Sequence, residues 1–396
     1  MKNAYKTIAK CNVCDSCDLD IAFDIKAMPL TGLYLPKDKR GTLPSFDQGL
    51  NYCTNCGHGQ LKNIVDPKIL YDDTYTHRSS KSVISKSGND FFHNYLRNII
   101  GVNKYKSILE VGCNDLYLID RIQDLGHSLV GIDPIWKGKD HFHNKKTQIL
   151  GRFVEELKDG ADIEEKPDLI LSAHTFEHVE DLYSQFKMLV GLASDDCLFV
   201  IEMPCFDTMV EIGRYDQVFH QHLQYLSLSS MAYLVDRLEC KFINHVFNYN
   251  YWGGTLLFSF QKTSSRNGSE KSKFDQIGLE NVNKRFMSFQ ELLRIAFEHF
   301  AQLDEPCYGF GAAQMLPVLA HHMGSDLSFL EAILDDNDER TGKFLPGINS
   351  PIVAPDQVKN FSGVSIMISA LDSIRPILRR LIDLSPRRIL HPLNMF

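Results

Sequence analysis

The strongest constraint on the fold is a strand, tight loop and helix in the second hundred residues. Ser107 to Val111 (SILEV) is an apolar run with an acid, Glu110, near its end. Gly112-Cys113-Asn114-Asp115 follows, and then LYLIDRIQDLG, which reads as a helix. A glycine at this turn lets the backbone approach a ligand, and the helix start presents unpaired N–H groups. The next β-like run, Ser128 to Ile132, ends in Asp133, placed to accept hydrogen bonds from ribose hydroxyls. The second and third glycines of G-x-G-x-x-G are absent, which disfavours a dinucleotide. S-adenosylmethionine is therefore the expected cofactor, with Glu110, Gly112, Asn114 and Asp133 around it.

The alternation continues through Asp168 to Ala173, a polar turn, a helix from about Val179, and the strand Cys197 to Met203. This predicts an α/β chain with a central doubly wound, Rossmann-like domain and ligands at the carboxyl ends of its strands. His174, Glu177 and His178 occupy one such end, and His174 is assigned to the cofactor side.

Upstream, Cys11 and Cys14 form one C-x-x-C, and Cys53 and Cys56 form another. Turn formers such as Pro29, Gly32, Pro36, Gly41 and Pro44 fill the stretch between them. Two such knuckles supply four thiolates for one structural zinc, whose binding stabilises a segment too short to fold on burial alone. Cys14 with Cys17 makes a competing C-x-x-C, and His58 is an alternative ligand. The expected set is Cys11, Cys14, Cys53 and Cys56.

Downstream, the loop from Tyr215 to Met231 (YDQVFHQHLQYLSLSSM) crowds aromatics around His220 and His222 ahead of a helix starting near Ser229. The polar stretch Lys262 to Lys273 reads as a linker, and a helical pattern from about Gln276 to Leu303 follows. Cys307 to Gln314 (CYGFGAAQ) and Ile333 to Asn337 (ILDDN) then outline a second Rossmann-like unit. The domain expectation is a zinc-binding module over 1–75, a methyltransferase domain over 76–262 and a C-terminal Rossmann-like domain over 275–396.

The formal net charge of −8, from 42 basic and 50 acidic side chains, lacks the basic excess that nucleic-acid binding needs. No stretch has the ~20 apolar residues of a membrane span. A cytoplasmic protein with neither nucleic-acid nor membrane partner is expected, and its 10 cysteines are read as thiols or metal ligands.

Taken in order, CNVC with LNYCTNCGHGQL, LEVGCND, GIDP, TFEHVEDL, HQHLQY, and GFGAAQ followed by ILDDNDERTGKFLPGINSPI resemble the C-methyltransferases of nucleotide-linked deoxysugars. The resemblance covers nearly the whole chain. It implies a zinc module, a central adenosylmethionine domain and a C-terminal Rossmann-like domain that helps shape the cleft for a nucleotide-linked sugar. The implied chemistry is removal of the proton at C3 of a 4-keto sugar by a base, followed by attack of the enolate carbon on the methyl. By motif position His222 matches the base, His178 the second histidine, and Tyr75 the tyrosine reaching in from the zinc module.

Three residues depart from the pattern. Phe219-His220-Gln221-His222 stands where the family reads Y-H-E-H, and Leu116 replaces a glycine after Asn-Asp. Gln221, still able to hydrogen-bond a sugar, carries no charge to orient an imidazole. These departures keep two other readings open: an O-methyltransferase on a related sugar nucleotide, and a degenerate, non-catalytic binding component.

Overall fold

A computed structural model describes residues 5–70, 78–101, 104–157, 162–263 and 274–393. In the N-terminal part, β1 (Tyr5–Thr7) pairs with β5 (Asn63–Val65). Strands β2 (Leu19–Met28), β3 (Phe46–Cys53) and β4 (Gly59–Leu61) form an antiparallel sheet. Its fourth strand comes from the histidine loop some 160 residues on.

The central sheet is built from β6 (Tyr105–Val111), β7 (Gly126–Ile132), β8 (His141–Asn144), β9 (Thr147–Leu150), β10 (Leu169–Ala173) and β11 (Leu198–Pro204). The short β12 (Gln224–Tyr225) leaves this domain to pair with β4, in the register Gln224 with Gln60 and Tyr225 with Gly59. β13 (Cys240–Asn248) and β14 (Thr255–Lys262) complete the central sheet, whose order is β13-β14-β11-β10-β6-β7-β9-β8. Strands β11, β10, β6, β7 and β9 are parallel, and their near-continuous apolar runs suit strands covered on both faces. The chain runs outward from β6 through β7 to β9 and returns to β10 on the other side of β6. That reversal opens a crevice beyond the carboxyl ends of β6 and β10, where open α/β sheets bind ligands.

The helix after the glycine loop is shorter than its sequence suggests, covering only Tyr117–Arg121. The one after β10 starts at Leu182, because Phe176–His178 first makes a 3-10 turn. The expected linker falls largely outside the described residues.

The C-terminal sheet is wholly parallel, in the order β17 (Ile352–Val353), β16 (Leu330–Leu334), β15 (Cys307–Phe310), β18 (Ser365–Ile368), β19 (Arg388–Leu390). The long helix Leu279–Phe300 buries Val282, Phe286, Phe289, Leu293, Ala296 and Phe300, a helical period of apolar positions. Phe286 stacks on Phe23 at 3.8 Å between ring centroids, and the Tyr215 hydroxyl donates to the Val282 carbonyl at 2.8 Å. Residues from all three parts thus share one hydrophobic core. No helix among the described residues is long and apolar enough to cross a membrane.

Candidate active site

The four expected cysteines converge. Cys11 Sγ lies 3.6 Å from Cys56 Sγ and Cys14 Sγ 3.4 Å from Cys53 Sγ, with all four sulfurs within 4.8 Å of one another. A tetrahedron with Zn–S bonds of ~2.3 Å has edges of about 3.8 Å, so the donor set fits zinc. Cys17 is exposed and outside the cluster, and His58 is buried with Nε2 2.9 Å from Gln224 Oε1. The knuckles are fastened to the catalytic part: Arg237 donates to the Val13 carbonyl, and Ser227 Oγ to the Gly57 carbonyl.

At the central crevice, Gly112 has φ +80°, and a Cβ there would lie 1.9 Å from Thr175 Oγ1. Asp133 holds the loop by both carboxylate oxygens, accepting from Asn114 N and Ile135 N at 2.9 Å each. Asn114 accepts at Oδ1 from Asp115 N, and its carbonyl accepts from the Trp136 indole. Leu116 keeps a glycine-like backbone at φ 71°, a left-handed conformation that costs a leucine roughly 1–2 kcal/mol. Its side chain does not crowd the loop as its bulk suggests. It turns inward and packs in the core that contains Phe92, Ile108 and Ile119.

Four polar atoms without a hydrogen-bond partner among the described residues gather at these strand ends: Glu110 Oε2, His174 Nε2, Glu177 Oε2 and Glu202 Oε2, all buried. Native structures rarely leave such groups unmatched away from functional sites. Burial, then the Asp133 charge, pushes Glu110 up to about 8, and burial pushes Glu202 up to about 7. A glycine-lined crevice with unmatched acids fits a cationic, polar ligand such as S-adenosylmethionine.

Beside it lie the histidines. The 3-10 turn puts Glu177 and His178 against the loop bearing His222, where Leu223 N donates to the Glu177 carbonyl at 2.7 Å. His178 Nδ1 sits 2.7 Å from the Gln221 carbonyl, an acceptor only, so Nδ1 is the nitrogen that donates to it. The His178 and His222 rings lie 4.9 Å apart, and Phe219 and Trp252 flank His222 at 4.2 and 5.5 Å. Burial, then the nearby His178, holds His222 well below its ordinary value, so it is a neutral imidazole at pH 7. Burial opposes ionisation of Glu177, but the His174 hydrogen bond at 3.1 Å and the facing histidines outweigh it and hold the acid at about 2.

His220 and His222 do not share a side. His220 Nε2 is 3.2 Å from the Met28 carbonyl and Nδ1 3.3 Å from Gln48 Nε2, so this ring belongs to the zinc module's packing. Gln221 also faces that module: its Oε1 accepts from Thr31 Oγ1 at 2.9 Å and its Nε2 donates to the Thr31 carbonyl at 3.3 Å. Only its backbone carbonyl reaches the histidine pair. Tyr75 lies outside the described residues.

With this geometry in place, sequence comparison is informative in every part of the chain. Residues 11–71 match a zinc binding domain, 88–245 a methyltransferase domain, and 266–381 a C-methyltransferase C-terminal domain. The chain is 22% identical to the C-methyltransferase NovU of Streptomyces niveus over 379 residues, which is 90% of this chain and 88% of that protein. The chain resembles the C-methyltransferases along nearly its whole length. It is an S-adenosylmethionine-dependent enzyme with a structural zinc module.

Solved structures similar to parts of this methyltransferase include the N-methyltransferase NodS of Bradyrhizobium japonicum WM9 with S-adenosylhomocysteine. It is 13% identical with a TM-score of 0.35, covering 46% of this chain and 88% of that one. The 1,6-didemethyltoxoflavin-N1-methyltransferase of Burkholderia thailandensis gives 13% and 0.35, covering 51% and 96%.

Sequence reading missed three contributors to the enzyme's site. Glu202 was legible as an acid at a strand end, like Glu110. Tyr251, whose ring lies 4.7 Å from His174, and Trp252 come from a bend before β14 that has no periodic pattern to betray it.

Proposed function

We propose that the enzyme transfers a methyl group to the carbon next to the ketone of a nucleotide-linked keto-deoxy sugar, with His222 as the base. The observation carrying this reading is a buried, neutral imidazole paired with His178 beside the crevice of the central sheet. A neutral ring nitrogen can accept a proton from a carbon that a ketone acidifies, leaving the electron pair in the enolate. S-adenosylmethionine, when bound, supplies an electrophilic methyl on a sulfonium. Glu110, Gly112, Asn114, Asp133 and His174 are the residues proposed to hold it, and Tyr75 is proposed as a further residue of the acceptor site. His178, fixed by the Gln221 carbonyl, orients the acceptor.

Gln221 takes a different part from the one its motif position suggests. Its amide ties the loop to Thr31, and it acts on the acceptor only through His178.

His222→Ala should lower methyl transfer to a 4-keto sugar nucleotide by roughly 100-fold or more while leaving cofactor affinity intact. It should also abolish solvent deuterium exchange at the carbon beside the ketone, followed by NMR without cofactor. Full exchange in the variant would remove His222 from the role of base.

A further inference from the structure

We infer that Glu177 is the positioning residue of the two-histidine centre, a buried carboxylate that serves as counter-charge to His222 once that ring has taken its proton. This inference rests on the reading of His222 as base. The histidine loop lacks one charge. Where the family carries a glutamate, this chain has Gln221, and both ends of that amide are bound to Thr31. The charge that would balance an imidazolium must come from elsewhere.

Glu177 supplies it. One of its carboxylate oxygens lies with a ring nitrogen of His178 and one of His222 in a group whose atoms are all within 4.8 Å of one another. Glu177 is 2% exposed, so little water screens it. Oε1 is held by His174 Nδ1 at 3.1 Å, whereas Oε2 is buried with no partner among the described residues. A buried acceptor with an unused lone pair is costly unless something charged or polar arrives to meet it. The arriving group here is the His222 imidazolium, formed when the C–H electron pair of the acceptor passes into the enolate and the proton passes to the ring.

The backbone makes the placement rigid. The Glu177 carbonyl accepts from Leu223 N at 2.7 Å, so the acid and the residue after His222 are joined directly. The titratable groups facing His222 are His178, Glu177 and His174, while Glu202 faces His174 and Glu177 from β11. Of these, Glu177 alone favours the protonated ring. The two histidines oppose it.

The test is the titration of His222 followed by imidazole NMR in protein labelled at histidine, with the resonance assigned through a His222→Gln control. An opposite charge within about 4–6 Å shifts a pKa by roughly 1–3 units, so Glu177→Gln should lower the His222 value by about one unit or more. The same variant should lower kcat about 10-fold or more and move the acid limb of the kcat/KM profile to lower pH. Glu177→Asp, which keeps the charge but draws it back by one methylene, should fall between wild type and Gln in both readouts. It also serves as the test variant should Glu177→Gln not fold.

An unchanged His222 titration in these variants would overturn the inference, whatever happens to activity. If the titration shifts as expected but His222→Ala keeps full turnover, the positioning role stands and the assignment of the base fails.

Discussion

The central and C-terminal sheets carry the same loop chemistry and put it to different uses. In the first, Asn114 N donates to Asp133 Oδ2 at 2.9 Å, and the other carboxylate oxygen caps Ile135 N. In the second, Ala312 N donates to Asp335 Oδ2 at 2.7 Å, and the other oxygen caps Asn337 N. Each loop turns on a left-handed glycine wedged against the neighbouring strand end: Gly112 against Thr175 and Gly311 against Ala370.

The surroundings differ. The central crevice leaves acids and a histidine unmatched among the described residues. The C-terminal one is filled by the protein itself, with the Tyr34 hydroxyl of the zinc module donating to the Ala312 carbonyl and Arg340 reaching both that carbonyl and Asp335. Nearby, Arg214, just before the histidine loop, bonds buried Asp216 and half-buried Asp372. A Rossmann-like loop is therefore no sufficient sign of a nucleotide site. Whether its polar groups are already spent decides.

The largest expected effect tests the docking role of the C-terminal crevice. Arg214→Ala leaves buried Asp216 and half-buried Asp372 without their cation, which should destabilise the protein by roughly 3–5 kcal/mol. The check is the urea midpoint of the whole chain. A loss below 1 kcal/mol would mean that this face is held by apolar packing alone.

A smaller effect of opposite sign belongs to the central crevice. Glu110, with its pKa raised from 4.5 to about 8 chiefly by burial, favours the folded state only while protonated. That contribution is complete below about pH 4.5 and is lost as the pH rises towards 8. Glu110→Gln should therefore stabilise the cofactor-free enzyme by a few kcal/mol at pH 8 and change little at pH 4.5. Thermal midpoints at the two pH values read this directly, and equal shifts at both would place the effect in packing, not ionisation.

Much of this comparison was legible in the sequence, and the reason is local. SILEV-GCND and CYGFGAAQ each announce strand, glycine turn and following helix within a dozen residues, and the acids of GIDP and ILDDN close each unit. The cysteine pairs were nearly as direct: the C-x-x-C spacing pointed to the four sulfurs that meet, and the structure removes Cys17 and His58 as competitors. What the sequence hid was side-chain direction over long separations. Gln221 and His220 turn to Thr31, Met28 and Gln48 because β12 crosses to the zinc module's sheet, a pairing no short-range pattern encodes. The inward turn of Leu116 was likewise hidden, because a residue type says nothing about which side of a turn its Cβ takes. Tyr34 was unreadable as a plug for the same reason: its partner at Ala312 lies 278 residues away.

The central claim is that one crevice binds and its twin docks, and calorimetric titration with S-adenosylmethionine on the paired variants Asp133→Ala and Asp335→Ala tests it most directly. The account predicts one cofactor per chain in the wild type, an affinity weakened by roughly 1–3 kcal/mol in Asp133→Ala, and an unchanged affinity in folded Asp335→Ala. Two cofactors per chain, or a loss that follows Asp335 and spares Asp133, would contradict it.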